Sequence, residues 1–245
     1  MSTPYSSITG KSVNLFYQPQ LPHGVLHLDE EESRHVVKVL RKKQGDHINL
    51  TDGQGNFYSV TIARPDSRQC TFTIDKKTEE RPKNFTIHIA IAATKNSDRL
   101  EWFVEKSVEL GINEITLLKC DRSERQHLKI DRLRKTAISA MKQSLKASLP
   151  IIHPLTDFEI LVRSTQALGK YIAYVDSDNP HQLKNVVTPG SSYIVLIGPE
   201  GDFSVEELAL AEHLGFKKVS LGPSRLRTET AGIAACHILN LANTP

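Results

Sequence analysis

The sequence lacks a long apolar run and contains few cysteines. No stretch of its 245 residues approaches the roughly 20 apolar residues that a membrane-spanning helix needs. The opening segment, MSTPYSSITGK, has no apolar core of the signal-peptide kind. Cys70, Cys120 and Cys236 are odd in number and lack C-x-x-C spacing, which argues against a disulfide framework. We therefore expect a cytoplasmic protein without a membrane anchor.

Several familiar motifs are also missing. The dinucleotide fingerprint G-x-G-x-x-G and the serine-hydrolase elbow G-x-S-x-G do not occur. No group of His, Cys and Asp residues has the sequence spacing of a metal site, so we expect no metal. Hydrophobic residues make up 39% of the chain and charged residues 24%, which is ordinary for a globular protein. The length allows one large domain or two modest ones.

The net charge of +3 is small, but the basic residues are concentrated in two segments. Residues 34–47 hold five Lys or Arg against one Asp, and residues 119–146 hold nine against three acids. Each segment has a larger positive excess than the whole chain. Such a concentration favours a polyanionic partner, and a solvated helix face is the equal alternative.

The first third of the chain predicts a small β-rich domain. Alternating apolar residues indicate strands over residues 46–52, 57–63 and 70–75. Residues 32–40 can form a short helix. The polar, proline-containing segment 78–83 is typical of a boundary, so we place the first domain at residues 1–77.

Strand and helix patterns alternate over residues 84–245. Strands are predicted at 85–93, 115–118, 170–175, 193–197 and 218–221, and helices at 98–110, 130–148, 205–214 and 229–241. Gly111 is expected to cap the first of these helices. This alternation predicts an α/β domain with a mostly parallel sheet.

Two glycine-containing loops follow late strands, where open parallel sheets bind ligands. Gly198–Phe203 precedes a helix whose start is marked by Ser204 and Glu207, an S-x-x-E capping box. Leu221–Ala231 reads LGPSRLRTETA and has no apolar periodicity. Glycine lets main-chain groups approach a ligand closely. The loops therefore predict a ligand held mainly by the backbone, with plain connecting loops as the alternative.

These loop sequences carry a resemblance. IGPEGDFS at 197–204, LG at 221–222 and LRTETA at 226–231 resemble the signature of the small-subunit ribosomal RNA uridine-N3 methyltransferases of the RsmE type, in the SPOUT superfamily. H-x-x-x-V-L-R at 35–41, followed by GD at 45–46, resembles the N-terminal PUA-like barrel of that family. The resemblance covers nearly the whole chain.

The resemblance implies both a fold and a function. A PUA-like RNA-binding β-barrel would be followed, over residues 84–245, by a SPOUT methyltransferase domain with a trefoil knot. The implied activity is methylation of N3 of a uridine in 16S ribosomal RNA, with S-adenosylmethionine as the cofactor and a homodimer as the working form. Two alternatives remain open: methylation of a ribose 2′-hydroxyl on the same fold, and a non-catalytic RNA-binding assembly factor for the ribosome.

The resemblance also implies site residues. The expected cofactor-binding residues are Leu196, Gly198, Glu200, Gly201, Leu221, Gly222, Leu226 and Thr228. The expected RNA-binding residues are Arg34, Lys38, Arg41, Lys42, Arg122, Arg125 and Arg225. Arg227 is the catalytic candidate for stabilising the uracil anion or the adjacent phosphate, and Glu229 is the candidate base or a residue that orients Arg227.

Two positions depart from the family pattern. The family usually has a glycine where this chain has Asp202. It usually has Arg-Ile before Leu-Arg, where this chain has Ser224 and Arg225. The first change is expected to alter the edge of the loop, and Arg225 is expected to replace the missing arginine from a shifted position.

Overall fold

The computed structural model describes residues 14–94, 96–123, 129–174 and 181–244. The chain divides into two compact units, Met1–Pro82 with Ile138–Leu149 and Lys83–Ala137 with Pro150–Pro245. Both units have a sheet of their own. None of the described helices is long and apolar enough to cross a membrane.

The first unit is built on a four-stranded sheet with the order β1-β2-β3-β4. Its elements are β1 (Leu15–Tyr17), a 3-10 turn (Leu21–His23), α1 (Glu30–Arg34) continued by π-type turns (His35–Val39), β2 (His47–Thr51), β3 (Asn56–Arg64) and β4 (Thr71–Glu79). Alternate residues of β2 and β3 enter the core, among them Ile48, Leu50, Val60 and Ile62. The predicted strands are confirmed. The three-residue β1 was not predicted because it is too short to show alternation.

The segment Ile138–Leu149 belongs to the first unit, although the sequence places it within the second domain. Hydrogen bonds pair this segment with the end of β2 and the residues that follow it. Thr51 Oγ1 donates to the Ala147 carbonyl at 2.9 Å, and Leu149 N–H donates to the Gly53 carbonyl at 2.8 Å. Such pairings are long-range and leave no periodic pattern in the sequence.

The second unit alternates strands and helices. Its elements are β5 (Thr86–Ala92), α2 (Ser97–Leu110), β6 (Glu114–Lys119), α3 (Ile130–Gln143, which runs on into the first unit), β7 (Ile151–Asp157), α4 (Phe158–Ser164), β8 (Gly169–Ala173), α5 (Leu183–Val186), β9 (Ser192–Ile197), α6 (Val205–His213), β10 (Lys217–Val219) and α7 (Thr228–Ala242). The predicted α/β alternation is confirmed, and Gly111 caps α2 in the left-handed region at φ 85°. The helix predicted over 130–148 ends at Gln143, and Leu145 lies at φ 53°, outside helical geometry.

All neighbouring strands of the second sheet are parallel, in the order β10-β8-β9-β5-β6-β7. The central strands β5 and β9 are covered on both faces, which explains their continuous apolar sequences. On one face, α7 packs against α2 and β5. On the other, Phe158 and Leu161 of α4 and Leu208 of α6 share a core cluster with sheet residues.

Gly232 permits the close approach of α7 to α2. A Cβ atom at this position would lie 2.5 Å from Cε2 of Phe103 and 3.2 Å from Cδ1 of Ile91. Only a residue without a side chain fits there. The carboxyl ends of the strands and the start of α7 are held together by this packing.

Candidate functional site

The loop Gly198–Phe203 leaves the carboxyl end of β9 and turns sharply before α6. Asp202 N–H donates to the Pro199 carbonyl at 3.0 Å and closes the turn. A Cβ atom at Gly198 would lie 3.1 Å from the ring of Phe203, so a larger residue would require this ring to move slightly. The predicted capping box is confirmed, because Ser204 and Glu207 each accept a hydrogen bond from the other's main-chain N–H.

The capping box also binds the loop that follows β6. Asp121 N–H donates to Glu207 Oε1 at 3.0 Å, and Ser204 Oγ donates to Asp121 Oδ2 at 2.7 Å. The Glu207 side chain is buried and has hydrogen bonds on both oxygens. This network fixes the start of α6 relative to the β6 loop.

Two arginines hold the Gly198–Phe203 loop from outside. Arg122 Nη1 donates to the Gly201 carbonyl at 2.7 Å. Arg99 Nη1, in the first turn of α2, lies 2.7 Å from Glu200 Oε1. The Nε atom of Arg99 also lies 3.8 Å from Glu229 Oε1 on α7. Arg122, which is expected to bind RNA, therefore contacts the main chain of this loop.

The second loop, Leu221–Arg227, lies between β10 and α7. Ser220 Oγ accepts from Gly222 N–H at 3.3 Å and donates to the Gly222 carbonyl at 2.9 Å. Gly222 has φ 138°, and a Cβ atom there would meet no atom of the described residues within 4 Å. Its backbone therefore faces open space, in a conformation that glycine adopts readily.

A hydrogen bond joins the two loops. Thr228 Oγ1 donates to the Gly198 carbonyl at 3.0 Å, and the Thr228 side chain is buried. Glu229 is buried beside it, and its Oε2 atom has no hydrogen-bond partner within the described part of the chain. A buried acceptor without a partner is the kind of atom that a ligand donor satisfies.

Asp202 occupies the left-handed region at φ 62°, where the family pattern has glycine. The strain is relieved locally, because Asp202 Oδ1 accepts a hydrogen bond from Phe203 N–H at 2.8 Å. Burial raises the pKa of the Asp202 carboxyl, and this effect is opposed by the Phe203 N–H and by the charges of Arg122 and Arg225. The aspartate at position 202 therefore adopts the loop conformation that suits glycine, and it adds a partly buried carboxyl group to the loop.

The remaining candidate cofactor-binding residues differ in whether their side chains or only their main-chain atoms are accessible. Leu196 is a residue of β9 whose side chain is fully buried in the core, so only its main chain can face a ligand. Leu221 and Leu226 are half-buried and offer apolar side chains beside the glycine backbone. Gly201 is exposed at the turn, against the Arg122 side chain.

The arginines of the second loop are exposed. Arg225 lies close enough to Asp202 to influence its charge. Arg227 occupies the N-cap position of α7, one residue before the buried Thr228. Arg227 thus begins from a backbone position that is set by the start of α7.

In the first unit, the expected RNA-binding residues lie within the π-type turns and on either side of them. Arg34, Lys38 and Arg41 are exposed, and Lys42 is half-buried. Arg41 has φ 54°, an uncommon conformation for a residue other than glycine. Arg125, the remaining expected RNA-binding residue, lies outside the described residues.

Sequence reasoning missed Arg99 and Asp121. Arg99 contacts Glu200 in the loop after β9, Asp121 contacts Ser204 at the start of α6, and both partners are far away in sequence. Arg99 is one of several charged residues in the first turn of an amphipathic helix, and no local pattern distinguishes it. Its role is visible only in the folded protein, where Arg99 contacts Glu200 in the loop after β9 and Glu229 on α7.

Comparison with known proteins agrees with this geometry. The RNA methyltransferase domain family matches residues 81–240, and the RNA methyltransferase PUA domain family matches residues 28–75. The first match spans more than half of the chain. The chain belongs to the RNA methyltransferase family. The β-rich first unit and the parallel α/β second unit are thus those of a methyltransferase with a PUA domain.

Individual relatives of this RNA methyltransferase extend over nearly its full length. A crystal structure of a probable rRNA-methyltransferase from Porphyromonas gingivalis is 41% identical, with a TM-score of 0.88, covering 94% of this chain and 99% of that one. A putative methyltransferase from Legionella pneumophila, solved with the bound cofactor SAM, is 29% identical with a TM-score of 0.83, covering 95% and 98%. Ribosomal RNA small subunit methyltransferase E of Bacillus subtilis is 28% identical over 84% of this chain and 85% of its own.

Proposed function

We propose that this protein transfers a methyl group from S-adenosylmethionine to N3 of a uridine in 16S ribosomal RNA. The observation that carries the proposal is the joining of two glycine loops at the carboxyl ends of β9 and β10, through the Thr228–Gly198 hydrogen bond of 3.0 Å. Relatives named as methyltransferases of the small-subunit RNA, and one solved with SAM, support it.

The two loops suit a cofactor that is held by main-chain atoms. Gly222 presents open backbone, and Leu221 and Leu226 flank it with apolar surface. The unpartnered Oε2 atom of Glu229 offers a buried acceptor for a donor of the ligand. The proposed cofactor-binding residues are Leu196, Gly198, Glu200, Gly201, Leu221, Gly222, Leu226 and Thr228. When bound, S-adenosylmethionine supplies an electrophilic methyl group on a sulfonium.

Arg227 is the proposed catalytic residue. The uracil imide must lose its N3 proton, and the resulting negative charge spreads over the two carbonyl oxygens. The exposed guanidinium of Arg227, held at the N-cap of α7, is suited to stabilise that charge or the adjacent phosphate. A cation placed beside the developing negative charge stabilises the transition state more than the ground state.

Glu229 is the second proposed catalytic residue. It is a weaker candidate for the base than Arg227 is for stabilising the uracil anion. Its carboxylate is only 6% exposed and lies 3.8 Å from the Arg99 guanidinium. This environment favours an orienting role for Glu229, which would hold Arg99 and the start of α7 in place. Alignment of the uridine then supplies much of the rate.

RNA binding is proposed for the basic residues of both units. Arg34, Lys38, Arg41 and Lys42 lie on the first unit, and Arg122, Arg125 and Arg225 on the second. Such residues contact phosphates, which positions an RNA without reading its sequence. We assign the PUA role to residues 1–77 and the methyltransferase role to residues 84–245.

The working form is proposed to be a cytoplasmic homodimer with a trefoil knot. Trp102 of α2 and Leu241 of α7 are 45% and 59% exposed, and large exposed apolar side chains on two packed helices favour an interface. The trefoil knot is proposed from the resemblance of the two glycine loops to those of the SPOUT superfamily.

The test uses labelled S-adenosylmethionine and 30S subunits that lack the modification. The RNA is digested to nucleosides after incubation, and the labelled nucleoside is identified by chromatography and mass spectrometry. We expect 3-methyluridine. We expect Arg227→Ala to lower kcat about 100-fold, as removal of a transition-state donor does, with little change in the affinity for S-adenosylmethionine. Arg163→Ala, an exposed arginine on α4, is the matched control and keeps full activity.

Other products would decide against the proposal. A 2′-O-methylated nucleoside would mean that the same fold methylates ribose. Absence of S-adenosylmethionine binding at millimolar concentration would favour a non-catalytic assembly factor. Equal activity of Arg227→Ala and Arg163→Ala would remove Arg227 from the reaction.

A further inference from the structure

A second group of polar side chains lies at the amino ends of the strands, at the end of the sheet opposite the glycine loops. His88 is near the start of β5, Glu114 begins β6, and His153 is the third residue of β7. The parallel register pairs His88 with Glu114, and Thr116 with His153. All four residues line one cavity, so their side chains share a face of the sheet.

The three titratable side chains converge. His153 Nε2 lies 3.0 Å from Glu114 Oε2, and the rings of His88 and His153 have centroids 5.8 Å apart. One ligand atom from each residue lies within 4.8 Å of the other two. Ligand atoms that are each about 2.0–2.2 Å from a tetrahedral zinc ion are roughly 3.4 Å from one another. A small movement of the side chains would therefore complete the metal geometry.

The surroundings leave room for a ligand and a path to it. The cavity has a volume of about 570 Å³, and its wall includes Leu161 and Ser164 of α4. The side chains of His153 and Glu114 are 39% and 37% exposed. A metal ion can therefore reach the group from solvent, and a fourth coordination position would face the cavity.

His88 is prepared for coordination. Its Nε2 atom is 2.7 Å from the Thr116 hydroxyl, a contact that fixes the orientation of the imidazole ring.

We propose that His88, Glu114 and His153 form a binding site for a divalent transition metal, of which Zn²⁺ is the best-suited example. Two imidazoles and one carboxylate are a known zinc ligand set, and three protein ligands leave one position open. The sequence predicts no metal, because Glu114 and His153 are 39 positions apart and only the parallel sheet brings them together. A bound ion would link β5, β6 and β7 and stabilise the folded second unit.

The proposal is tested by calorimetric titration of the full-length, tag-free protein with ZnCl₂ at pH 7. We expect one ion per chain. His153→Ala and Glu114→Gln should each weaken binding by more than about 100-fold, since loss of outer-shell partners alone costs about 10–100-fold. His213→Ala removes an exposed histidine of α6 in the same unit and serves as the matched control, with unchanged affinity.

A titration with Co²⁺ gives an independent readout, because visible absorption bands report tetrahedral or five-coordinate nitrogen and oxygen ligands. The bands should appear in the wild-type protein and in His213→Ala, and should be lost in His153→Ala. The proposal is overturned if Zn²⁺ does not bind with defined stoichiometry, or if His153→Ala and Glu114→Gln bind as tightly as His213→Ala. In that case the Glu114–His153 contact is only an ion pair within the sheet.

Discussion

Arg99 Nη1 lies 2.7 Å from Glu200 Oε1, which joins the first turn of α2 to the loop after β9. The same guanidinium lies 3.8 Å from Glu229 at the start of α7. One side chain therefore links three elements at the carboxyl end of the sheet. The arrangement of the two glycine loops thus depends on a helix that contributes none of the predicted cofactor-binding residues.

Removal of this link should weaken the site. In Arg99→Ala, Glu229 stays buried without its cation, so we expect the free energy of unfolding to fall by about 1–3 kcal/mol and the affinity for S-adenosylmethionine to decrease. Urea unfolding and calorimetric titration measure the two effects. The control is Arg163→Ala, whose exposed pair with Glu159 contributes less than about 1 kcal/mol. Equal results for the two variants would contradict a structural role for Arg99.

Asp202→Gly should stabilise the protein. A left-handed conformation costs a residue with a side chain roughly 1–2 kcal/mol, and glycine adopts it freely. Loss of the hydrogen bond to Phe203 and the greater unfolded-state freedom of glycine offset most of this gain, so we expect an increase of roughly 0.5 kcal/mol or less at pH 7. Thermal unfolding measures the difference. A lower melting temperature for Asp202→Gly would show that the local hydrogen bond outweighs the strain.

Asp202→Asn separates the charge from the strain, because asparagine keeps the left-handed tolerance and a side-chain acceptor. The folded state raises the pKa of Asp202, so the folded protein holds this proton more tightly than the unfolded chain. The stabilising contribution is present below the unfolded pKa of about 3.9 and is lost as the pH rises through the folded pKa. The stability advantage of Asp202→Asn should therefore grow as the pH rises from acid to neutral, and a constant advantage would contradict the shift.

Arg41 should bind RNA at some cost to stability. Its φ of 54° suits glycine, so Arg41→Gly should unfold at the same or a higher temperature and yet bind 16S RNA more weakly. Charge reversal in Arg41→Glu with Lys42→Glu should weaken binding further and flatten its salt dependence, by about one unit of slope for each phosphate that the variant no longer neutralises. Filter binding at several salt concentrations measures this.

Two controls accompany the RNA measurements. Arg68→Gly removes an exposed arginine of the same unit outside residues 34–47 and should leave the slope unchanged. S-adenosylmethionine binding should stay intact in the charge-reversal variant. Parallel loss of RNA and cofactor binding would indicate damaged folding and would contradict the assignment.

Gly232→Ala should destabilise the protein even though alanine is the better helix former by about 1 kcal/mol. The new methyl group would lie 2.5 Å from the Phe103 ring, and overpacking of this kind costs about 1–3 kcal/mol. Phe103→Leu should relieve the clash, so the double variant should lose less stability than the sum of the two single variants. Urea unfolding of the four proteins gives the coupling energy, and strict additivity would contradict the clash.

Much of the fold can be predicted from local pattern. The strand–helix alternation, the Gly111 cap and the Ser204–Glu207 capping box depend on residues that are close in sequence, and all are confirmed. The short β1 and the strand β7 were not predicted. Pro154 and polar residues interrupt β7, and its place in the sheet depends on pairing with β6.

The chemical character of the two glycine loops is a property of the sequence alone, because their spacing, their glycines and the following helix starts are encoded locally. Their joining by Thr228 and Gly198, and the position of Arg99 between Glu200 and Glu229, depend on the tertiary structure. The same is true of His88, Glu114 and His153, which are brought together by strand register. Contacts between distant residues are selected by the packing of the whole sheet, and no local sequence pattern records them.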